Sequence, residues 1–210
     1  MEDTLRNVVR EQLGEGLDVL RAVHADATIH TCLVEAARNT AQALRAGNKL
    51  MVAGNGGSAA DAQHLVAEFV CRLCEDRPAL RAVALTTDSS ILTAVGNDYG
   101  FDRIFARQLE AIGQRGDIFL GISASGNSPD ILRALEQARG MGIRTLGLTG
   151  KSGGKMQPLC DLCLCVPSTV TMHIQEAHLA LEHIFCLLVE RIYFERDQTT
   201  EVHTRTQPAG

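Results

Sequence analysis

The sequence predicts an α/β domain built on a parallel sheet with helices on both faces. Three observations carry that expectation. Short apolar runs recur between residues 49 and 166, segments of helical period separate them, and two amphipathic stretches precede them all. Strands that alternate with helices are joined by crossovers rather than hairpins, so they pair in parallel and the crossovers cover the sheet. A chain of 210 residues with 45% hydrophobic and 21% charged residues suits one such domain.

The elements follow in order. Leu5, Val8, Val9, Leu13, Leu17, Leu20 and Val23 recur at helical spacing, and they predict a first helix. A second is expected over Ala27–Arg45, with Ile29, Leu33, Ala36, Ala37 and Leu44 on one side and Gly47 just past its end. Together these N-terminal helices occupy 3–46. Leu50–Ala53 reads as a buried strand running into the loop Gly54-Asn55-Gly56-Gly57-Ser58, with a helix over Ala59–Cys71. Arg81–Leu85 is the second expected strand, and Asp88–Ile112 reads as two short helices broken across Gly96–Gly100. Asp117–Ile122, Arg144–Leu148 and Leu162–Val166 complete five strands. A helix over Pro129–Arg139 carries proline in its first turn, and an amphipathic helix, about His173–Phe194, closes the fold. The polar tail 197–210 has no period and is expected to be disordered, leaving 1–196 as one domain.

Composition excludes some partners. A formal charge of −5 provides no basic surface for nucleic acid or anionic lipid. No apolar run reaches the roughly 18–20 residues of a membrane-spanning helix, and the charged start Met1–Arg6 has no signal-peptide core. The expected location is the cytoplasm, where the seven cysteines stay reduced. Cys71-x-x-Cys74 and Cys160-x-x-Cys163 have zinc-site spacing. Alternation of Cys163 and Cys165 in an apolar run instead suggests small buried hydrophobes.

Two loops have the chemistry of anion sites. Ser123-Ala124-Ser125-Gly126-Asn127-Ser128 lies between the third strand and a helix N-terminus. There, backbone N–H groups, hydroxyls and the helix dipole favour a phosphate; an ordinary serine turn with Ser128 as N-cap is the plainer alternative. The glycines of 54–58 allow a backbone to approach a ligand closely, but they lack the spacing of a dinucleotide fingerprint.

His64 and Glu68, four apart, share a helix face and could grip a divalent ion. On the last helix Gln175 and His183 are separated by about 80° of rotation. His178 and Glu182 form a competing pair there, and spacing alone leaves the choice open.

These motifs resemble a known family. Gly54–Phe69 (GNGGSAADAQHLVAEF), Ala84–Asp88, Ala94–Asp98, Ile122–Ser128 and Ile174–His178 followed by His183 are similar, in consistent order over about residues 3–194, to the bacterial phosphoheptose isomerases. The resemblance implies a three-layer αβα sugar-isomerase (SIS, flavodoxin-like) fold with a five-stranded parallel sheet. It also implies a homotetramer with sites at subunit junctions and one zinc per subunit. The implied reaction is conversion of D-sedoheptulose 7-phosphate to D-glycero-D-manno-heptose 7-phosphate through an enediol(ate), the first step toward nucleotide-activated heptose for surface polysaccharides such as lipopolysaccharide. By the same resemblance the metal ligands are His64, Glu68, Gln175 and His183, with Glu68 as base and His183 as acid. Substrate would meet Asn55, Gly56, Gly57, Glu68, Asn97, Asp98, Ser123, Ala124, Ser125, Ser128 and Gln175.

Two departures stand out. Ala124 replaces a small polar residue or threonine, and Val170–His173 lacks an acidic residue found near there in the family. A carboxylate that ligates a metal tightly is also a poor free base, so either a ligand detaches or Asp98 or Asp61 shares the work. Two non-enzymatic relatives of the fold are alternatives: a protein that binds the replication initiator, and a sugar-phosphate sensor. Glu68 and His183 set this chain apart from the first, and metal content would separate it from the second.

Overall fold

A computed structural model describes residues 1–194; the expected disordered tail lies outside the described residues. Helices α1 (Glu2–Ala25) and α2 (Ala27–Arg45) come first. Asp26 separates them, and its Oδ1 accepts hydrogen bonds from the Thr28 and Ile29 amides at 2.8 and 3.3 Å, capping the start of α2. There follow β1 (Leu50–Gly54), α3 (Gly57–Val70), β2 (Ala82–Ala84), α4 (Ser89–Asp98) and α5 (Ala106–Ile112). The remainder is β3 (Ile118–Ser123), α6 (Pro129–Gly140), β4 (Arg144–Gly150), β5 (Leu162–Val166) and α7 (Thr171–Tyr193).

All five strands are parallel, in the order β2-β1-β3-β4-β5. Alternate side chains sort into two cores, as a strand's period of two requires. Leu50, Val52, Leu120, Ile122, Leu146 and Leu148 face α2, α3 and α7. Met51, Ala53 and Phe119 face α5 and α6. Helix α1 lies outside this sandwich against α7 and buries only Gly16 and Val23.

One expected boundary moves. Helix α4 runs through Gly96 and stops before Gly100, whose φ of +98° turns the chain. A glycine inside a helix costs about 1 kcal/mol without breaking it, whereas a left-handed residue ends it. Strands β3 and β4 also extend to Ser123 and Gly150, so the serine loop begins within the sheet.

Candidate active site

Order reverses in this sheet at β1 and β3: from β1 the chain moves outward to β2, then returns to β3 on the other side. Loops leaving the carboxyl ends of such a strand pair diverge and open a crevice. The glycine loop leaves β1 there, and the serine loop leaves β3.

Ser123, 4% exposed, ends β3, and its hydroxyl lies 2.9 Å from that of Ser128. Ser128 occupies the N-cap position of α6 without bonding a helix amide, so its hydroxyl faces the loop instead. Gly126, at φ +66°, turns the loop where a Cβ would strike the Gly153 carbonyl. Ser125 accepts the Asn127 amide at 3.2 Å, and the Ala124 carbonyl accepts Gly150 N–H at 3.0 Å. The result is a concave turn of hydroxyls at a helix N-terminus, suited to an anion.

Sequence reasoning missed Asp130. It is 2% exposed in the first turn of α6 and accepts Asn55 Nδ2 at 3.0 Å, tying the glycine loop to the serine loop. Burial raises its pKa, opposed by the Asn55 bond. Pairing across 75 positions leaves no spacing signal.

Helix α3 starts inside the glycine loop. A Cβ on Gly57 would sit 2.7 Å from Gln175 Nε2, so glycine is what lets the α7 amide lie over the start of α3. Further along, α3 presents His64 and Glu68 to α7. His64 Nε2 lies 2.8 Å from His183 Nε2 and 3.6 Å from Glu68 Oε1. Among the described residues, these three are the group of His, Cys, Asp or Glu side chains whose ligand atoms all fall within 4.8 Å of one another. Two imidazole nitrogens and a carboxylate oxygen form a donor set that suits zinc or a similar divalent ion. Tetrahedral bonds of about 2.05 Å put two nitrogens roughly 3.3 Å apart, so a small separation of the rings would admit the ion.

The competing pair on α7 points elsewhere. His178 is fully buried and its Nε2 meets the Thr149 carbonyl at 3.2 Å; burial pulls its pKa down to about 4. Glu182 lines a small apolar cavity with Leu33, Leu120, Leu181 and Phe185. Neither of its carboxyl oxygens has a hydrogen-bond partner. Burial, and secondarily Asp61, push its pKa up to about 8. Asp61 is itself raised by burial, opposed by His64, which sets it beside the cluster. Asn97 Nδ2 bonds Asp98 Oδ1 at 2.7 Å on the exposed end of α4, and among the described residues no hydrogen bond or ion pair joins them to His64, Glu68 or His183. Of the cysteines, Cys71 and Cys74 are exposed while Cys160 and Cys163 are partly buried.

A family model described as SIS domain matches residues 17–150. A phosphoheptose isomerase of Aneurinibacillus thermoaerophilus is 48% identical over 190 residues, covering 90% of this chain and 96% of that protein. One from Pelobacter propionicus is 57% identical over 162 residues, 77% of this chain and 86% of that protein. Among solved structures, a phosphoheptose isomerase from Neisseria gonorrhoeae superposes with a TM-score of 0.83 at 39% identity, covering 89% of this chain and 98% of that one.

Proposed function

This chain belongs to the phosphoheptose isomerase family of SIS-domain proteins, and from that premise we propose that it converts D-sedoheptulose 7-phosphate to D-glycero-D-manno-heptose 7-phosphate, acting as a single catalytic unit over 1–196. The observation that carries the reading is the convergence of His64, Glu68 and His183 from two helices separated by more than a hundred residues. The serine loop at the start of α6 supports the other half of the reading, a phosphate anchor. An aldose–ketose isomerase needs both: an anchor for the phosphate and proton-transfer groups at C1 and C2.

In this reading Ser123, Ser125, Ser128 and the Ala124 amide hold the phosphate, while Asn55, Gly56 and Gly57 line the sugar. Asp130 keeps Asn55 in place. Ala124 costs a hydroxyl donor but not a backbone one. His64, Glu68, Gln175 and His183 would hold one zinc per subunit, which when bound supplies Lewis-acid stabilisation of the enediolate oxygens. Glu68 moves the proton between C1 and C2, and His183 serves the adjacent oxygen. Asp61, which interacts with His64, or Asp98 would share the proton work with a metal-bound Glu68.

We place the working form as a homotetramer. Leu5, Val8, Val9, Leu13, Leu17 and Leu20 are exposed along α1, an apolar stripe of the kind a second copy of this chain would cover. Helix α4, which buries no residue, would bring Asn97 and Asp98 to a neighbour's crevice, setting the sites at subunit junctions.

Incubating the purified protein with sedoheptulose 7-phosphate and following aldose formation tests the assignment directly. Turnover that is lost on chelation and restored by zinc is expected; no product with zinc present overturns it. Glu68→Gln is expected to abolish turnover with the fold intact, since Glu68 lies in the cleft rather than the core. An active Gln variant removes Glu68 as the base.

A further inference from the structure

Arg77 joins the two helices that supply the metal-ligand cluster. Its side chain is 2% exposed. Nε donates to Glu190 Oε1 on α7. Nη2 donates to the Glu68 carbonyl at 2.6 Å, and Nη1 to the Phe69 and Pro78 carbonyls at 2.7 and 3.2 Å. Glu68 and Phe69 lie in the last turn of α3, where carbonyls lack intrahelical partners and the dipole is negative. Glu190 follows His183 by seven residues, two turns along the same face of α7 and about 10 Å away. One planar cation is therefore bonded both to the backbone of Glu68 and to the stripe that carries His183.

We propose that Arg77, with Glu190 as its counter-ion, is a positioning residue for the metal-ligand cluster: it fixes how far α3 stands from α7, and so where His64 and Glu68 lie relative to His183. The inference rests on the metal-dependent isomerase reading given above. The fork of the guanidinium is what the role requires. Four acceptors in different directions need donors held in a plane, which an ammonium group on a flexible stem does not provide. Packing of the Phe69 and Phe185 rings, 5.8 Å apart, also joins these helices but is apolar and tolerant of sliding. A charged fork sets both distance and register.

The test is zinc affinity, measured by chelator competition on full-length Arg77→Lys and Glu190→Gln at a temperature where each is folded by circular dichroism. Arg77→Lys should weaken zinc about 10–100-fold, the range for residues that orient metal ligands, and Glu190→Gln should do so to a smaller degree. In zinc-saturated protein kcat should fall while KM changes little, because the phosphate cradle on β3 and α6 does not touch Arg77. Leu135→Ala, in the separate core under α6, is the control for general loosening. Unchanged zinc affinity in both clamp variants overturns the proposal, as does an equal loss in Leu135→Ala. If Arg77→Lys does not fold, Glu190→Gln decides. Wild-type protein that binds no zinc would remove the metal reading and the clamp together; wild-type binding that ignores both substitutions would remove the clamp alone.

Discussion

Glu182 is buried with neither carboxyl oxygen hydrogen-bonded. A carboxyl without partners in an apolar cavity stays protonated, and its pKa of about 8 against an ordinary 4.5 carries a signed consequence. Between those values the folded state holds a proton that the unfolded state has released, so stability is full below about pH 4.5 and is lost as pH rises toward 8. His178 works in the opposite direction: with a pKa near 4 against 6.5, it costs stability as pH falls through that interval. In metal-free protein, Glu182→Met should therefore raise stability at pH 8 by on the order of a few kcal/mol and flatten the decline between pH 5 and 8. Thermal melts across pH check this; a variant no more stable than wild type at pH 8 refutes it. In the serine loop, Ser125→Ala with Ser128→Ala should raise KM if the proposed phosphate site is right, through loss of neutral hydrogen bonds worth about 0.5–1.5 kcal/mol each. An unchanged KM would place the phosphate elsewhere. The chemistry of His64, Glu68 and the serine loop was legible because each lies within one short motif. Asp130 was not, because an aspartate in a first helical turn looks like a dipole partner until the fold brings Asn55 beside it.

Elements were legible wherever a single force dominates. The span Ala27–Arg45 was read from its apolar face and matches α2, and the apolar run Leu162–Val166 matches β5. Gly96 misled because glycine signals both breaks and tolerated helix interiors. Helix α1 shows what periodicity does not reveal. Its apolar spacing predicted a helix, and Leu5, Val8, Val9, Leu13, Leu17 and Leu20 lie on the surface of the chain: a helical period marks a face without saying what covers it. What fastens α1 to α7 within the chain includes His173, which bridges Glu15 at 3.2 Å and Glu176 at 2.9 Å. The Glu176 bond chiefly raises the His173 pKa, so this latch holds below the ordinary histidine value and is lost as pH rises through the higher folded one. Amide protection in α1, taken relative to the intrinsic exchange rate at each pH, should consequently fall above neutral pH in wild type. In His173→Gln protection should be low at every pH; protection that ignores both pH and substitution would show the latch to be idle.

At the scale of the molecule, the order β2-β1-β3-β4-β5 decides where a ligand can bind, since only between β1 and β3 do successive crossovers part. Alternation of strand and helix foretold parallel pairing, whereas strand order, a matter of long-range packing, was not readable from local pattern. The surface carries its own prediction. Leu13, 66% exposed, sits mid-stripe on α1, and Leu13→Glu should leave the monomer folded while shifting sedimentation to smaller species. An unaltered assembly would put the subunit contact on another face. Among the described residues, no helix is long and apolar enough to cross a membrane.

The 119 positions between His64 and His183 also impose a timetable on biosynthesis. A ribosome has made the glycine loop, the serine turn and all five strands before the last helix emerges, so the nascent polypeptide at that stage carries His64 and Glu68 without His183. On the proposed reading, only chains translated through α7 would carry the complete set of metal ligands.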